Sequence, residues 1–199
     1  MRIKHLFIPA IAGTLILSAC GGGDPPPPPE PTGPTQAEIQ ARNDSIAAAR
    51  AAEAARAAAE RDAARREQER MSRARDQARA TIEAVVLFDY DESAITPAAE
   101  RILRAKLPIL RNSPGLRLRL EGHADERGST EYNLALGSRR AENVREFLSG
   151  FGIQANRFTT TSFGEERPAV NRGDEAAWAQ NRRVEFVIAG GQIVVSEDD

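Results

Sequence analysis

Cysteine and histidine are scarce in this chain. Its 199 residues include one cysteine, Cys20, and two histidines, His5 and His123. A lone cysteine cannot form an intramolecular disulfide, and zinc sites in proteins are built mainly from cysteine and histidine ligands. We therefore expect no disulfide framework, no metal site and no cofactor.

The sequence also lacks the short motifs of common enzyme classes. No serine lies in a nucleophile-elbow pattern, no glycine-rich phosphate loop is present, and Ser129 has no obvious base to activate it. His123 could act as a general base or join Asp125 as a metal ligand, but a site built almost entirely of carboxylates would be unusual for zinc. We predict no catalytic residue and no enzyme activity, with a hydrolase as the alternative.

Neither sign of charge dominates, and no apolar run is long enough for a membrane span. The chain has 27 Lys and Arg against 29 Asp and Glu, a net charge of −2, whereas nucleic-acid-binding domains are basic. The N-terminal apolar run, from Leu6 to Leu17, is shorter than the roughly 20 residues that a spanning helix needs. These features argue against nucleic-acid binding and against a transmembrane helix.

The N-terminal run has the features of an export signal. Arg2 and Lys4 precede it and small residues follow it before Cys20, an order typical of secretory signal peptides. The Leu-Ser-Ala-Cys string resembles the bacterial lipobox, which implies removal of residues 1–19 and acylation of Cys20, palmitate included. Gly21 after this cysteine favours the outer membrane, with the chain facing the periplasm. The alternatives are an ordinary signal that ends at a cysteine by chance, or an N-terminal helix with a buried thiol.

Two segments of biased composition follow. Residues 20–35 are rich in glycine and proline, and proline lacks the N–H that helices and sheets need, so a semi-rigid linker is predicted. Residues 36–83 contain no glycine or proline and are dominated by alanine, arginine and glutamate, which predicts a long helical spacer. Ile39 and Ile46 lie one heptad apart, which leaves a coiled coil open, although the apolar seam is thin.

Residues 84–189 have the pattern of one globular domain. Apolar runs, alternating residues and helical spacings predict the order β-α-β-α-β-β. The predicted elements are strands at 84–88, 116–120, 158–163 and 184–188, helices at 97–112 and 131–150, and a loop at 165–180 with a helical turn near Trp178. This order predicts an α+β fold, with a small mixed sheet covered by helices on one face. Residues 190–199 form an acidic tail to which we attach no function.

Polar residues interrupt the domain at three places where the fold does not require them. They are residues 88–91 and 121–128, where strands end, and residues 133–140, where a helix opens. We expect these places to meet around one shallow pocket that holds a fixed anion, a fixed cation and main-chain donors.

Asp125 and Arg140 are the charged groups expected in this pocket. Asn133, Leu136 and Arg140 share one helical face because of their spacing, and that face can look toward the loop of Asp125. A carboxylate suits an ammonium group and an arginine fork suits a carboxylate, so we expect the ligand to be a free amino-acid end group. The alternative is an ion pair between Asp125 and Arg140 that only joins loop to helix.

Several strings in this domain resemble the OmpA-like peptidoglycan-binding domain family. They are Glu121–Gly128, Glu131–Asn133, Leu136-Gly137, Arg139–Ala141 and Asn181–Val184. The resemblance covers about residues 84–189, in the right order and spacing. It implies an OmpA-like fold and binding to the meso-diaminopimelate residue of the peptidoglycan stem peptide.

The resemblance also implies roles for single residues. Asp125 matches the family's ammonium-binding aspartate, and Arg140 matches its carboxylate-binding arginine. His123 matches a loop position to which we assign no ligand contact. Five further positions match residues that line the site, in part through main chain: Phe88, Asp89, Tyr132, Asn133 and Leu136.

Within the family, residues 88–91 and 123–128 most resemble the lipoproteins of Tol–Pal systems. The resemblance implies an outer-membrane lipoprotein that tethers the membrane to the cell wall by binding peptidoglycan non-covalently. It also implies a place in an envelope and cell-division system, with periplasmic Tol proteins such as TolB as partners. The long segment 36–83 departs from the simplest lipoproteins of this kind and keeps a second interpretation open, a structural tether or scaffold outside the Tol system.

Overall fold

The computed structural model describes residues 33–195. The predicted signal peptide, the predicted lipidation site Cys20, most of the proline-rich linker and the last residues of the acidic tail lie outside the described residues. The chain divides into two compact units whose boundary falls between Ala54 and Ala55, inside the first helix. The elements are α1 (Gln36–Glu83), β1 (Val86–Leu87), α2 (Pro97–Asn112), β2 (Arg117–His123), α3 (Thr130–Gly150), a 3-10 turn (Ala155–Arg157), β3 (Phe158–Gly164), α4 (Glu175–Asn181) and β4 (Arg183–Gly190).

Helix α1 confirms the long helix predicted from composition. It begins with a capping box, in which the Thr35 hydroxyl accepts a hydrogen bond from the Glu38 N–H (3.3 Å) and the Glu38 carboxylate accepts one from the Thr35 N–H (2.7 Å). Most of α1 is exposed, and its only buried residues are Ala78 and Ile82 near its end. No helix among residues 33–195 is long and apolar enough to cross a bilayer.

The four strands form one mixed sheet in the order β1-β4-β2-β3. Strand β2 runs parallel to β3 and antiparallel to β4, while β1 is antiparallel to β4. Alternation along β2 puts Leu118 and Leu120 on one face, where they join Phe186 of β4 in the core. Leu107 of α2 and Val144 of α3 belong to the same core. The predicted α+β fold, with helices on one face of a small mixed sheet, is confirmed.

Three elements differ most from their predicted bounds. Strand β1 is limited to Val86–Leu87 because it pairs only with β4 at the edge of the sheet, and Leu87 is 43% exposed. Strand β2 continues as far as His123, three residues beyond its predicted end at Leu120. A full helix, α4, replaces the single turn predicted near Trp178, because the Asp174 carboxylate caps it by accepting a hydrogen bond from the Ala177 N–H (2.9 Å).

Two glycines bring α3 close to β2. A methyl group on Gly122 of β2 would overlap the carbonyl oxygen of Gly137 in α3, and a methyl group on Gly137 would lie 2.9 Å from the Gly122 oxygen. This close approach fixes α3 against the end of β2. It therefore places Asn133, Leu136 and Arg140 beside the loop that follows β2.

Candidate functional site

A small cleft brings together residues from all three polar stretches. It is formed by the turn after β1, the loop after β2 and the first turns of α3, and its volume is about 120 Å³. Its lining residues are Tyr90, Asp91, Ala124, Asp125, Arg127, Gly128, Tyr132, Asn133, Leu136 and Arg140. Pockets for drug-sized ligands usually exceed about 300 Å³, so this cleft suits the end group of a larger molecule.

Asp125 supplies a buried negative charge to the cleft. Its side chain is 5% exposed and forms ion pairs with Arg127 (2.7 Å) and Arg182 (3.2 Å). Burial alone would raise the pKa of Asp125, but hydrogen bonds from Arg127 and Arg182 outweigh that effect and hold the pKa below its ordinary value. The carboxylate is therefore ionised at neutral pH.

Arg140 supplies a positive charge beneath the cleft. It is fully buried, and it donates to the carbonyl oxygens of Glu92 (2.8 Å), His123 (2.8 Å) and Asp89 (3.1 Å). Burial lowers the pKa of Arg140 to about 10, so the guanidinium is still charged at neutral pH. Main-chain oxygens thus engage three of its five N–H donors.

The simple ion pair considered as an alternative is not formed. Asp125 pairs with Arg127 and Arg182, whereas Arg140 is held by carbonyl oxygens of both strand-end segments. The two charged residues therefore line the cleft together without neutralising each other by direct contact.

The three predicted helix-start positions all line the cleft. Leu136 is 5% exposed, and Asn133 is buried with its amide donating to the carbonyl oxygen of Arg127 (3.2 Å). Tyr132 is exposed, and its hydroxyl donates to the Asp91 carboxylate. Asn133 thus fixes the loop after β2, while Tyr132 forms an exposed rim.

Phe88 and Asp89 lie behind the cleft and contribute main chain. The Phe88 ring belongs to the core, and the Phe88 carbonyl oxygen accepts a hydrogen bond from Arg182 (3.1 Å). The Asp89 carbonyl oxygen accepts one from Arg140 (3.1 Å). The side chains that this turn adds to the cleft come from the next two residues, Tyr90 and Asp91.

Two arginines of the site were not singled out by the sequence. Arg182 is buried and connects three groups: the Phe88 carbonyl oxygen, Asp125 and Glu175. It is 57 residues from Asp125 in the chain, so no local pattern could reveal this contact. Arg127 lies inside the quoted string 121–128, two residues after Asp125, and Arg182 lies inside the quoted string 181–184, but neither residue was assigned a role.

His123 lies outside the cleft, in a second polar cluster. The donor atoms of Glu121, His123 and Glu185 all lie within 4.8 Å of one another, and neither ring nitrogen of His123 has a hydrogen-bond partner. However, Arg119 and Arg183 already pair with the two carboxylates, so their positive charge opposes binding of a metal ion. Burial is the main cause that lowers the pKa of His123 to about 4, which leaves the imidazole neutral.

Comparisons with known proteins agree on one family. The sequence profile of the OmpA family matches residues 87–182. The crystal structure of the peptidoglycan-associated lipoprotein from Burkholderia pseudomallei is similar at 40% sequence identity with a TM-score of 0.51, over 52% of this chain and 87% of that one. The chain belongs to the OmpA family. All the residues that line the cleft lie inside its OmpA domain.

Curated proteins named peptidoglycan-associated lipoprotein match about half of this chain. The peptidoglycan-associated lipoprotein of Agrobacterium fabrum is 43% identical over 105 residues, which are 53% of this chain and 59% of the relative. That of Legionella pneumophila is 46% identical over 101 residues, 51% of this chain and 57% of the relative. The chain thus spans less than two thirds of the length of these relatives. The resemblance to OmpA-like domains that the sequence strings predicted is confirmed.

Proposed function

We propose that this chain is an outer-membrane lipoprotein that binds peptidoglycan without cleaving it. The relatives named peptidoglycan-associated lipoprotein support this function for the OmpA domain. The observation that carries the proposal is that Asp125 and Arg140 line one small cleft. Opposite charges in one cleft complement the ammonium and the carboxylate of an amino-acid end group.

The ligand group proposed is the free end of meso-diaminopimelate in the stem peptide. Its ammonium binds Asp125, and its carboxylate binds the two N–H donors of Arg140 that main chain does not use. Tyr132, Asn133 and Leu136 form the wall beside it. Main-chain oxygens of Phe88 and Asp89 hold Arg182 and Arg140 in place from behind.

The rest of the chain is proposed to serve as a tether. Residues 1–19 direct export, acyl chains on Cys20 hold the outer membrane, and residues 20–35 act as a linker. Residues 36–83 are a helical spacer that leads to the binding domain at 84–189, and the acidic tail after it has no assigned part. Many copies on one membrane face a polymeric wall, so weak single sites bind collectively.

Peptidoglycan sedimentation tests the proposal directly. The purified chain is expected to pellet with insoluble peptidoglycan, whereas Asp125→Asn and Arg140→Lys stay in the supernatant while folded by circular dichroism. Arg140→Lys keeps the charge but loses the planar fork. Asp62→Asn, an exposed carboxylate on α1, is the matched control and is expected to pellet like the wild type. A wild-type chain that stays in solution, or an Asp125→Asn chain that still pellets, would contradict the proposal.

The same experiment addresses cleavage. The supernatant of the pelleted wall is expected to contain no released muropeptides. Release that the Asp125→Asn variant abolishes would point to a hydrolase instead.

A place in a Tol–Pal system is the finer part of the proposal. The similarity to peptidoglycan-associated lipoproteins supports it. Co-purification of the chain with TolB is the expected result, and soluble peptidoglycan fragments are expected to reduce it if wall and partner share the domain face. A chain that binds the wall but never TolB would be a structural tether outside the Tol system.

A further inference from the structure

The carboxylate of Asp125 has no free acceptor position. Its Oδ1 accepts from the main-chain N–H of Arg127 (3.1 Å) and from Arg127 Nε (3.1 Å), while its Oδ2 accepts from Arg127 Nη2 (2.7 Å) and Arg182 Nη1 (3.2 Å). An ionised carboxylate offers about four lone-pair positions. A ligand ammonium can therefore reach Asp125 only if one of these donors leaves.

The side chain of Arg127 is the donor that can leave. Arg182 is 8% exposed and also holds the Phe88 carbonyl oxygen and Glu175. The Arg127 side chain is 29% exposed. Its backbone is fixed independently, because the Arg127 N–H binds Asp125 and the Arg127 carbonyl oxygen binds Asn133. The guanidinium can swing out while the loop stays in place.

The surroundings of the Arg127 guanidinium form a cation cage, which we define as Tyr90, Asp125, Glu175 and Trp178. The Arg127 Cζ lies 3.9 Å from the Tyr90 ring centroid and 4.3 Å from the Trp178 ring centroid. Asp125 and Glu175 pair with the guanidinium at 2.7 and 3.4 Å. Aromatic faces and carboxylates together are the groups that bind organic cations in proteins.

We propose that the cation cage is the subsite for the ligand's ammonium group and that Arg127 occupies it as an internal competitor. This inference rests on the proposed function, since it names the step by which Asp125 becomes available. Arg127 borders both the cleft and the cage, so its departure joins the two. The cage selects ligands whose ammonium displaces a guanidinium, and it stays closed to neutral end groups.

Calorimetric titration with meso-diaminopimelate tests the competition in the full chain. Arg127→Met removes the competing charge and keeps an apolar side chain against the rings. If Arg127 fills the cage about nine tenths of the time, the variant binds about tenfold more tightly than the wild type. Arg127→Lys keeps the charge without the two-point contact to Asp125 and is expected to give a smaller gain. Arg172→Met, an exposed arginine on the neighbouring loop, is the charge-matched control and leaves the affinity within about twofold.

A second measurement reports directly on whether Arg127 occupies the cation cage. Trp178 is the only tryptophan, so its fluorescence reports whether a guanidinium lies over its ring. Ligand binding is expected to change the emission of the wild type and to change that of Arg127→Met much less.

The outcomes separate this inference from the proposed function. Tighter binding by Arg127→Met supports competition, and so does binding by that variant alone. If the wild type binds and folded Arg127→Met binds equally or more weakly, Arg127 is a ligand contact or a loop brace, and the competition is overturned while wall binding stands. If neither chain binds, both ideas fail.

Discussion

At the scale of single residues, the Arg140 guanidinium both connects two loops of the fold and lines the cleft. Its buried position and its bonds to three carbonyl oxygens make it a brace between the turn after β1 and the end of β2. Its charge also serves the cleft, which it lines. Under the proposed function, a residue of this kind couples stability to binding, because removing it disturbs the shape of the site as well as its charge.

Replacing Arg140 by Met is expected to lower the free energy of unfolding by about 3 kcal/mol. The change removes the donor from three carbonyl oxygens, of which that of His123 is buried and those of Asp89 and Glu92 are partly exposed. An unsatisfied buried group costs about 1–3 kcal/mol, and water partly relieves the exposed ones. Urea unfolding followed by Trp178 fluorescence measures it. Arg139→Met, at the exposed neighbouring position, is the control and is expected to change stability by less than about 0.5 kcal/mol. Equal effects of the two variants would mean that Arg140 is no brace.

His123 is expected to make the fold sensitive to mild acid. Arg183 and Arg167 add to burial in lowering its pKa to about 4, against the opposite effect of Glu185 and Glu121. The ordinary value, 6.5, applies to the unfolded chain. Between these values the unfolded chain binds a proton that the folded chain does not, so stability is lost as the pH falls from about 6.5 to about 4. The shift corresponds to about 3 kcal/mol as an upper figure.

A His123→Phe variant separates this effect from the titration of carboxylates. Phenylalanine keeps a ring against Phe163, on which His123 stacks at 5.6 Å between centroids, and it removes two unpartnered nitrogens. Urea midpoints of both proteins at about pH 7 and about pH 4.5 are compared. The variant is expected to lose less stability on acidification than the wild type. Parallel losses would show that the imidazole does not titrate in this way.

The residues of the site were predictable only where chemistry and local spacing agree. Asp125 and Arg140 stood out because charged groups occur at a strand end and on a helix face, and both line the cleft. The engagement of Arg140 by carbonyl oxygens could not be predicted, since main-chain acceptors carry no sequence signal. Arg182 was missed for a different reason: its contact with Asp125 depends on the pairing of distant strands.

At the scale of elements, the position of α3 over β2 depends on having no side chain at Gly137. A Gly137→Ala change is expected to lower stability by about 1–3 kcal/mol, because the added methyl group meets the Ser162 hydroxyl and the Gly122 oxygen. This loss outweighs the gain of about 1 kcal/mol in helix propensity. Displacement of α3 also moves Leu136 and Arg140, so peptidoglycan binding should weaken.

Gly150 offers a matched control in the same helix. A methyl group there meets nothing within 4 Å, so Gly150→Ala is expected to be neutral or slightly stabilising. Thermal unfolding of the two variants side by side gives the comparison. If Gly137→Ala is as stable as Gly150→Ala, close packing of α3 on β2 does not position the site.

The order of elements was predictable because apolar residues recur at a different spacing in strands and in helices. Leu116, Leu118 and Leu120 alternate with arginines, and the structure places all three leucines in the core. The predicted length of β1 was too great, because an apolar run does not reveal that a strand pairs with only one neighbour. The predicted length of α4 was too small, because a helix of seven residues is too short to show a clear helical period in the sequence.

At the scale of the whole molecule, the domain and the long helix have different sources of stability. The OmpA domain buries a common core from two helices and the sheet. Helix α1 buries only Ala78 and Ile82, so most of its length relies on alanine propensity and ion pairs between side chains. Such helices are marginal in water without packing, and they lose structure gradually with temperature.

Two spectroscopic probes are therefore expected to disagree when the full chain is heated. Trp178 is the only tryptophan and lies in the unit formed by residues 55–199, so its fluorescence should follow one cooperative transition. Helix α1 supplies about half of the α-helical residues described, so part of the far-ultraviolet circular dichroism should decline at lower temperature over a broad range, which fails the two-state test of coincident probes. Coincident transitions whose midpoint rises with protein concentration would instead show that α1 is paired, as a coiled coil starting from Ile39 and Ile46 requires. A gradual transition of α1 that does not depend on protein concentration would show that the long helix is unpaired and melts independently of the OmpA domain.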